Sequence, residues 1–131
     1  MTSETQLNLG QIGQVAVNVH DIKRATAFYR DVLGMKFLFE AGQLAFFDCD
    51  GVRLMLDVAE AKEFDHLASV IYYKVGDIAE AVATMRSRGV VFFEGDPHIV
   101  AKMPDHDLWM AFFRDTEENV LALMSEVPRS A

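Results

Sequence analysis

The chain contains one pattern of residues twice, and this internal repeat limits the possible folds more than any other feature. Residues 19–27 (VHDIKRATA) resemble 75–83 (VGDIAEAVA), and residues 46–48 (FFD) resemble 112–114 (FFR). Because the copies keep their order, duplication of one supersecondary unit explains them better than chance. We therefore predict one domain over residues 1–131 that holds two similar modules. Module one covers about residues 11–58, a linker about 59–67, and module two about 68–127.

Each copy predicts a strand, a helix and three further strands. Apolar residues alternate with others over 15–19, as in a half-buried strand, and Asp21 and Asp77 stand where helix N-caps belong. Gly34 and Gly89 suit the backbone at the helix ends. Residues 95–107 are predicted to form a long connection, and loops of that length often act as lids. The other predicted strands are 35–39, 44–47 and 52–56 in module one, and 70–75, 90–94, 108–113 and 120–124 in module two.

Composition excludes several classes of partner. The 131 residues carry a formal net charge of −8 with a pI near 4.8, which argues against the clustered Lys and Arg that nucleic-acid binding needs. No apolar run is long enough to span a membrane. Residues 1–10 carry no signal-peptide pattern, and the single cysteine, Cys49, cannot form an internal disulfide. We expect a cytoplasmic protein in which Cys49 is a small buried hydrophobe.

Three segments carry a resemblance to a known family. They are 17–21 (VNVHD), 27–34 (AFYRDVLG) and 113–119 (FRDTEEN). The first two resemble the V-x-D and FYxxxLG motifs of the vicinal-oxygen-chelate superfamily, which includes glyoxalase I, extradiol dioxygenases and bleomycin-resistance proteins. The third is similar to its F-x-DPDGN turn, with Thr116 and Glu118 in place of Pro and Gly. The resemblance implies an α+β fold of two βαβββ modules, with curled mixed sheets enclosing a cavity and helices outside. It also implies a homodimer.

In metal-dependent members of the family that the chain resembles, four cavity-facing positions hold the metal ligands. Those positions fall on Gln14, Met55, Val70 and Ala122. Only Gln14 offers an oxygen of the kind that a hard divalent cation prefers. We therefore predict no metal at this site and no cofactor.

The same sheet face is predicted to bind a small organic ligand. Strand alternation places apolar residues such as Val17, Leu56 and Tyr73 toward the helices and the other parity toward the cavity. Arg53 and Lys74 could recognise a carboxylate or phosphate, or could pair with surface acids. The full candidate set is Gln14, Asn18, Arg53, Met55, Val70, Tyr72, Lys74, Trp109, Ala122 and Met124.

Two aromatic side chains in this set have alternative roles. Tyr72 could donate a hydrogen bond to a ligand or simply fill the core. Trp109 could stack on a planar ligand or be a partly buried core residue.

The polar segment 97–107 holds the candidate catalytic residues, His98 and His106. Either could be a general acid or base oriented by a neighbouring carboxylate. The two histidines and an Asp could instead bind a transition metal, although their spacing matches no compact metal motif. The segment could also be an exposed polar loop whose Asp residues make turns.

These observations leave three functional hypotheses. The leading one is a metal-independent binding module that sequesters a small, partly apolar molecule, as bleomycin-resistance proteins of the resembled family do. The second is a glyoxalase-like lyase or isomerase with His98, His106 or Tyr72 as acid or base, or with metal at a non-standard site. The third is a degenerate relative whose role is dimerisation or regulation.

Overall fold

The computed structural model of the chain describes residues 7, 10–59, 62 and 65–129, so part of the predicted linker lies outside the described residues. Module one contains β1 (Gln14–Asn18), α1 (Ile22–Ala27), a π-helical continuation (Phe28–Val32), β2 (Lys36–Ala41), β3 (Leu44–Cys49) and β4 (Val52–Asp57). Module two contains β5 (Ile71–Lys74), α2 (Ile78–Ser87), β6 (Phe92–Lys102), β7 (His106–Arg114) and β8 (Val120–Pro128).

The two modules have the same topology. Each forms a four-stranded sheet, with strand orders β1-β4-β3-β2 and β5-β8-β7-β6. In each sheet the first strand runs parallel to the last, and the remaining pairs are antiparallel. The predicted α+β fold of two like-built modules is therefore confirmed. None of the helices in the described ranges is long and apolar enough to cross a membrane.

Both helices begin where the sequence predicts. The Asp21 carboxylate accepts a hydrogen bond from the backbone N–H of Arg24 at 3.1 Å, and the Asp77 carboxylate accepts one from Glu80 at 3.0 Å. Each bond satisfies an N–H that the first helical turn leaves without an intrahelical acceptor. The chain then turns after the first helix at Gly34, whose φ of 71° costs a residue without Cβ no strain.

Each sheet buries one of its two faces. Strand residues of one parity pack with the helices in a core that contains residues of both modules. Residues of the opposite parity are mostly exposed or half-buried, as the alternation predicts. The buried parity includes Val17, Leu54, Leu56, Phe113, Leu121 and Leu123.

A buried polar cluster joins the two modules around the turn between β7 and β8. The Tyr29 hydroxyl, at the end of the first helix, donates to the Asp115 carboxylate at 2.7 Å. Asn119 donates to the backbone carbonyl of Asn18 at 3.0 Å and accepts from the N–H of Ala68 at 2.9 Å. The FYxxxLG motif and the turn motif therefore contact one another directly, and we call this group the Asp115 cluster.

The predicted long connection over residues 95–107 is wrong, because most of it is strand. β6 and β7 cover all of it except residues 103–105, which form the turn of a hairpin. Glu94 and Gly95 have φ of 66° and 84°, and the pairing register shifts in this part of β6. A bulge interrupts the alternation of apolar and polar residues, and for that reason the sequence pattern does not predict the strand.

Candidate functional site

The exposed face of the first sheet presents a fixed guanidinium group. Arg53 on β4 is paired with Gln14 on β1, and its Nε donates to Gln14 Oε1 at 2.7 Å. Its Cζ lies 5.3 Å from the centre of the Phe46 ring, whose negative face attracts a cation. Arg53 forms no salt bridge with any Asp or Glu in the described part of the chain. The side chain is held in place while its charge stays available to a ligand.

The four positions at which metal-dependent relatives hold a metal do not fit a divalent cation in this chain. The one suitable oxygen, on Gln14, already accepts the hydrogen bond from Arg53, and a neighbouring positive charge repels a metal ion. The Gln14 amide nitrogen lies 3.7 Å from the Met55 sulfur. Val70 and Ala122 add only hydrocarbon side chains, and an oxygen-seeking ion is not held by hydrocarbon or thioether groups.

The second sheet gathers predicted binding residues in two neighbouring rows across its exposed face. Residues paired across adjacent strands share a face. The Tyr72 and Phe112 rings meet edge to face, with their centres 6.3 Å apart. Val70 precedes β5 and is 40% exposed, and Tyr72 is 46% exposed. One row consists of Tyr72, Ala122 and Phe112, and the next of Lys74, Met124, Met110 and His98.

A polar cluster lies at one end of these rows. Lys74 Nζ is 2.9 Å from one carboxylate oxygen of Glu126, and His106 Nε2 is 3.6 Å from the other. His106 Nδ1 lies 2.7 Å from the Asp105 carboxylate. The Lys74 ammonium lowers the pKa of Glu126, and the bond to His106 lowers the pKa of Asp105. We call these four residues the Glu126 cluster. In it Lys74 pairs with a surface acid, which was one of its two predicted roles.

The histidine-based metal site considered for His98 and His106 has no support from the geometry. His98 Nδ1 lies 3.2 Å from the backbone carbonyl of Asp96, which gives it a partner of its own. Within residues 10–59 and 65–129, no three His, Cys, Asp or Glu side chains are arranged to hold an ion.

A small pocket of about 250 Å³ lies at the seam between β1 and β5 and is lined in part by Asn18, Ser69 and Ile71. The Asn18 amide nitrogen donates to Asp65 at 3.1 Å and to the carbonyl of His66 at 3.0 Å. Its amide oxygen is buried and has no hydrogen-bond partner in the described part of the chain. A buried amide oxygen requires a donor. Asn18 is therefore placed to bind a ligand or a water molecule in this pocket.

Trp109 does not lie with the other predicted binding residues. It packs against the apolar core, on the opposite face of β7 from Met110 and Phe112. The alternative role stated for Trp109, a partly buried core residue, describes its position.

Sequence reasoning missed three residues on the exposed faces: Phe46, Phe112 and Glu126. Glu126 was missed because β8 is predicted to end at residue 124, whereas the strand continues to residue 128. Its parity matches that of Ala122 and Met124, so a longer strand prediction would have placed it correctly.

The fold and its sites define a class of protein: two βαβββ modules that share a core and leave one face of each sheet open. The chain belongs to the Glyoxalase/Bleomycin resistance protein/Dioxygenase superfamily, whose family model matches residues 11–123.

Solved structures with this fold include proteins of different activity. A lactoylglutathione lyase from Agrobacterium tumefaciens matches with a TM-score of 0.71 at 21% identity, covering 91% of this chain and 96% of that one. An antibiotic binding protein from a Streptomyces species matches with a TM-score of 0.73 at 20% identity, covering 92% and 99%. A glyoxalase/bleomycin resistance protein/dioxygenase from Nocardioides matches with 0.72 at 20%, covering 93% and 87%. At these identities the likeness shows the fold alone.

Proposed function

We propose that the chain is a metal-independent binding protein for a small, partly apolar organic molecule that carries a carboxylate or phosphate group. The observation that carries the proposal is the hydrogen bond from Arg53 to Gln14. This bond uses the one suitable oxygen among the four former ligand positions and presents a cation in its place. On a chain of net charge −8, a fixed and unpaired guanidinium is a natural contact for an anionic group.

The apolar part of the ligand is expected to contact the exposed aromatic side chains of the same sheet faces. Phe39 is 49% exposed, and its ring stacks on that of Phe46 with centres 4.6 Å apart. Tyr72 offers a second exposed ring on the other sheet. Aromatic side chains on an open face supply large contact area with few rotatable bonds, which suits recognition of a rigid organic molecule. A relative of the same fold is described as an antibiotic binding protein, which is compatible with this use of the fold.

We propose further that two copies form a homodimer. A single chain leaves apolar and aromatic residues of both sheets exposed, and burial against a second copy would remove that surface from water. Light scattering should give about twice the chain mass of 14.7 kDa at micromolar concentration. A monomer mass across the whole concentration range would contradict this proposal.

Metal independence is tested by elemental analysis of protein purified without added metal or chelator. We expect far less than one equivalent of Zn, Ni, Mn or Fe per chain. A near-stoichiometric amount of any of them, lost on substitution of Gln14, would overturn the proposal.

Binding is tested by thermal-shift screening against metabolites and antibiotics, since a ligand that prefers the folded state raises the melting temperature. The ligand should be recovered unchanged. For a ligand with a carboxylate or phosphate, Arg53→Gln should weaken binding roughly 10- to 100-fold, because a charge-assisted hydrogen bond is lost. The matched control is Arg30→Gln, since Arg30 is a surface residue paired with Asp31. Equal effects of the two substitutions would refute the role of Arg53.

A second candidate function, a lyase or isomerase, is favoured by the Glu126 cluster. His106 lies between the carboxylates of Asp105 and Glu126, and such flanking groups can orient an imidazole and hold its proton. If a bound ligand is converted, turnover should fall at least a hundredfold in His106→Ala, whereas His66→Ala, on the exposed segment before β5, should be unaffected. Unchanged turnover in His106→Ala would exclude this residue as the acid or base.

A further inference from the structure

A pocket of about 410 Å³ opens between the end of the first helix and α2. We propose that it is a second ligand site, which binds a compact apolar molecule carrying one cationic group. The volume lies within the range of small-molecule sites in proteins, roughly 300–1,000 Å³. Leu33 and Met35 of module one form one wall, and module two supplies the rest. We call it the junction pocket.

The junction pocket is separate from the exposed sheet faces. Tyr73 and Val75 line it, and strand alternation directs them to the opposite side of β5 from Tyr72 and Lys74. A molecule in this pocket would contact the core side of the second sheet. Its occupation would therefore leave the Arg53 face free for another ligand.

The inner surface of the junction pocket is apolar. Phe113, Leu123 and Met85 line it, and all three belong to the buried core. Met35 lies on the facing wall, and unbranched thioether side chains adapt to the shape of a ligand. An apolar molecule that fills the pocket would bury its own surface and connect the two modules.

The charges at the rim select a cation. Asp77 and Glu80 stand on the first turn of α2, and Arg88 follows its last turn. The Arg88 guanidinium donates to the backbone carbonyl of Val32 at 2.8 Å, so it is held across the pocket by module one. Glu80 has no salt-bridge partner among the described residues, and Asp77 uses one carboxylate oxygen as the helix cap. The rim thus offers two carboxylates against one guanidinium that already has an acceptor.

The test uses benzylamine and phenethylamine as cationic probes, with benzyl alcohol and phenylacetate as neutral and anionic counterparts. Binding is followed by NMR of protein labelled at the methionine methyl groups. We expect both amines to shift the signals of Met35 and Met85, with smaller effects on Met55 and Met124, which lie on the exposed sheet faces. Phenylacetate should bind the junction pocket more weakly than phenethylamine.

Two variants locate the site. Glu80→Gln removes the unpaired rim charge from an exposed position and should weaken amine binding roughly three- to tenfold without changing the melting temperature. Ala81→Leu, on the pocket side of α2, should fill the space and abolish the shifts, whereas Ala83→Leu, on the exposed side, should not.

The outcomes that overturn the proposal are distinct. If amines at 10-fold excess over the alcohol's effective concentration leave Met35 and Met85 unchanged, or shift them equally in Ala81→Leu, no site exists there. If phenylacetate binds as strongly as phenethylamine, or Glu80→Gln has no effect, the assignment of a cationic ligand fails. Neither result bears on the site around Arg53, which is probed by its own substitution.

Discussion

Replacing Tyr29 by Phe should destabilise the chain more than its small change in size suggests. The Tyr29 side chain is fully buried, and its hydroxyl is a donor to the Asp115 carboxylate, which is itself 5% exposed. The substitution keeps the ring packed against Phe47 and removes only the oxygen. What is lost is the hydrogen bond that ties the first helix of module one to the β7–β8 turn of module two.

The expected loss follows from what Asp115 retains. Its Oδ1 still accepts from the backbone N–H groups of Glu117 and Asn119, and its Oδ2 still accepts from the Asn119 side chain. Hydrogen bonds to charged groups contribute about 1.5–3 kcal/mol, and because the carboxylate keeps three donors we expect a loss of about 2 kcal/mol. For a domain of this size, that corresponds to a fall of roughly 8 °C in melting temperature.

The assay is urea denaturation followed by circular dichroism, with wild type and variants at one protein concentration, because any dimer makes stability depend on concentration. The matched control is Tyr73→Phe. The Tyr73 hydroxyl is buried and has no hydrogen-bond partner among the described residues, so its removal should be neutral or stabilising. Equal destabilisation by both substitutions, or a loss below about 0.5 kcal/mol in Tyr29→Phe, would refute the role given to the Asp115 cluster.

Three further predictions concern titration. Burial raises the pKa of Tyr29 and of Tyr73 above the ordinary value of 10.0, so both stay protonated in the folded chain at a pH where the unfolded chain ionises. Their contribution is therefore complete below pH 10 and is lost as the pH rises further; the urea midpoint should fall above pH 10, and less steeply in Tyr29→Phe. The hydrogen bond and charge of Asp65 raise the pKa of His20 above 6.5, so NMR titration should show that shift and Asp65→Asn should largely remove it; an unchanged value would contradict the assignment. Burial, with the charges of its two acidic neighbours, raises the pKa of the Cys49 thiol. Its reaction with a disulfide reagent at pH 8 should be slower in the folded than in the urea-unfolded chain.

The faces of the strands were predictable because the side-chain period of a strand is two. Once Val17 is placed in the core, Ala16 and Asn18 must point to the other side, and the same rule orders β4, β5 and β8. This local rule is sufficient to assign Arg53 and Tyr72 to an exposed face. It fails in β6, where the bulge at Glu94 changes the parity of all later residues.

The Asp115 cluster was not predictable, although both motifs that form it were recognised. Tyr29 and Asp115 are 86 positions apart, and no local pattern specifies that one will donate to the other. The departures from the family turn also take their meaning from the structure. Glu118 adopts a φ of 69° in the place where the resembled motif has Gly, and the Thr116 hydroxyl is buried without a partner among the described residues. Both features carry a cost that the original Gly and Pro avoid.

The pairing of Arg53 with Gln14 is of the same kind. The sequence indicates that a metal ligand set is missing, but not what the remaining amide does instead. Only cross-strand register puts a guanidinium beside that oxygen, since the two residues are 39 positions apart. Prediction by subtraction therefore finds the lost chemistry, whereas the contact that replaces it requires tertiary structure.

The two faces of each sheet are under different physical constraints. The helix side carries the shared core and the Asp115 cluster, so substitutions there are costly to folding. The open side carries residues whose loss costs the core little, and a side chain such as Met55 can replace a metal ligand without leaving a cavity in that core. A duplicated fold of this kind can lose its metal while remaining stable, provided that the vacated oxygen is not left without a partner. Arg53 supplies the partner for Gln14, and the same contact that stabilises the amide creates a positive site for a ligand.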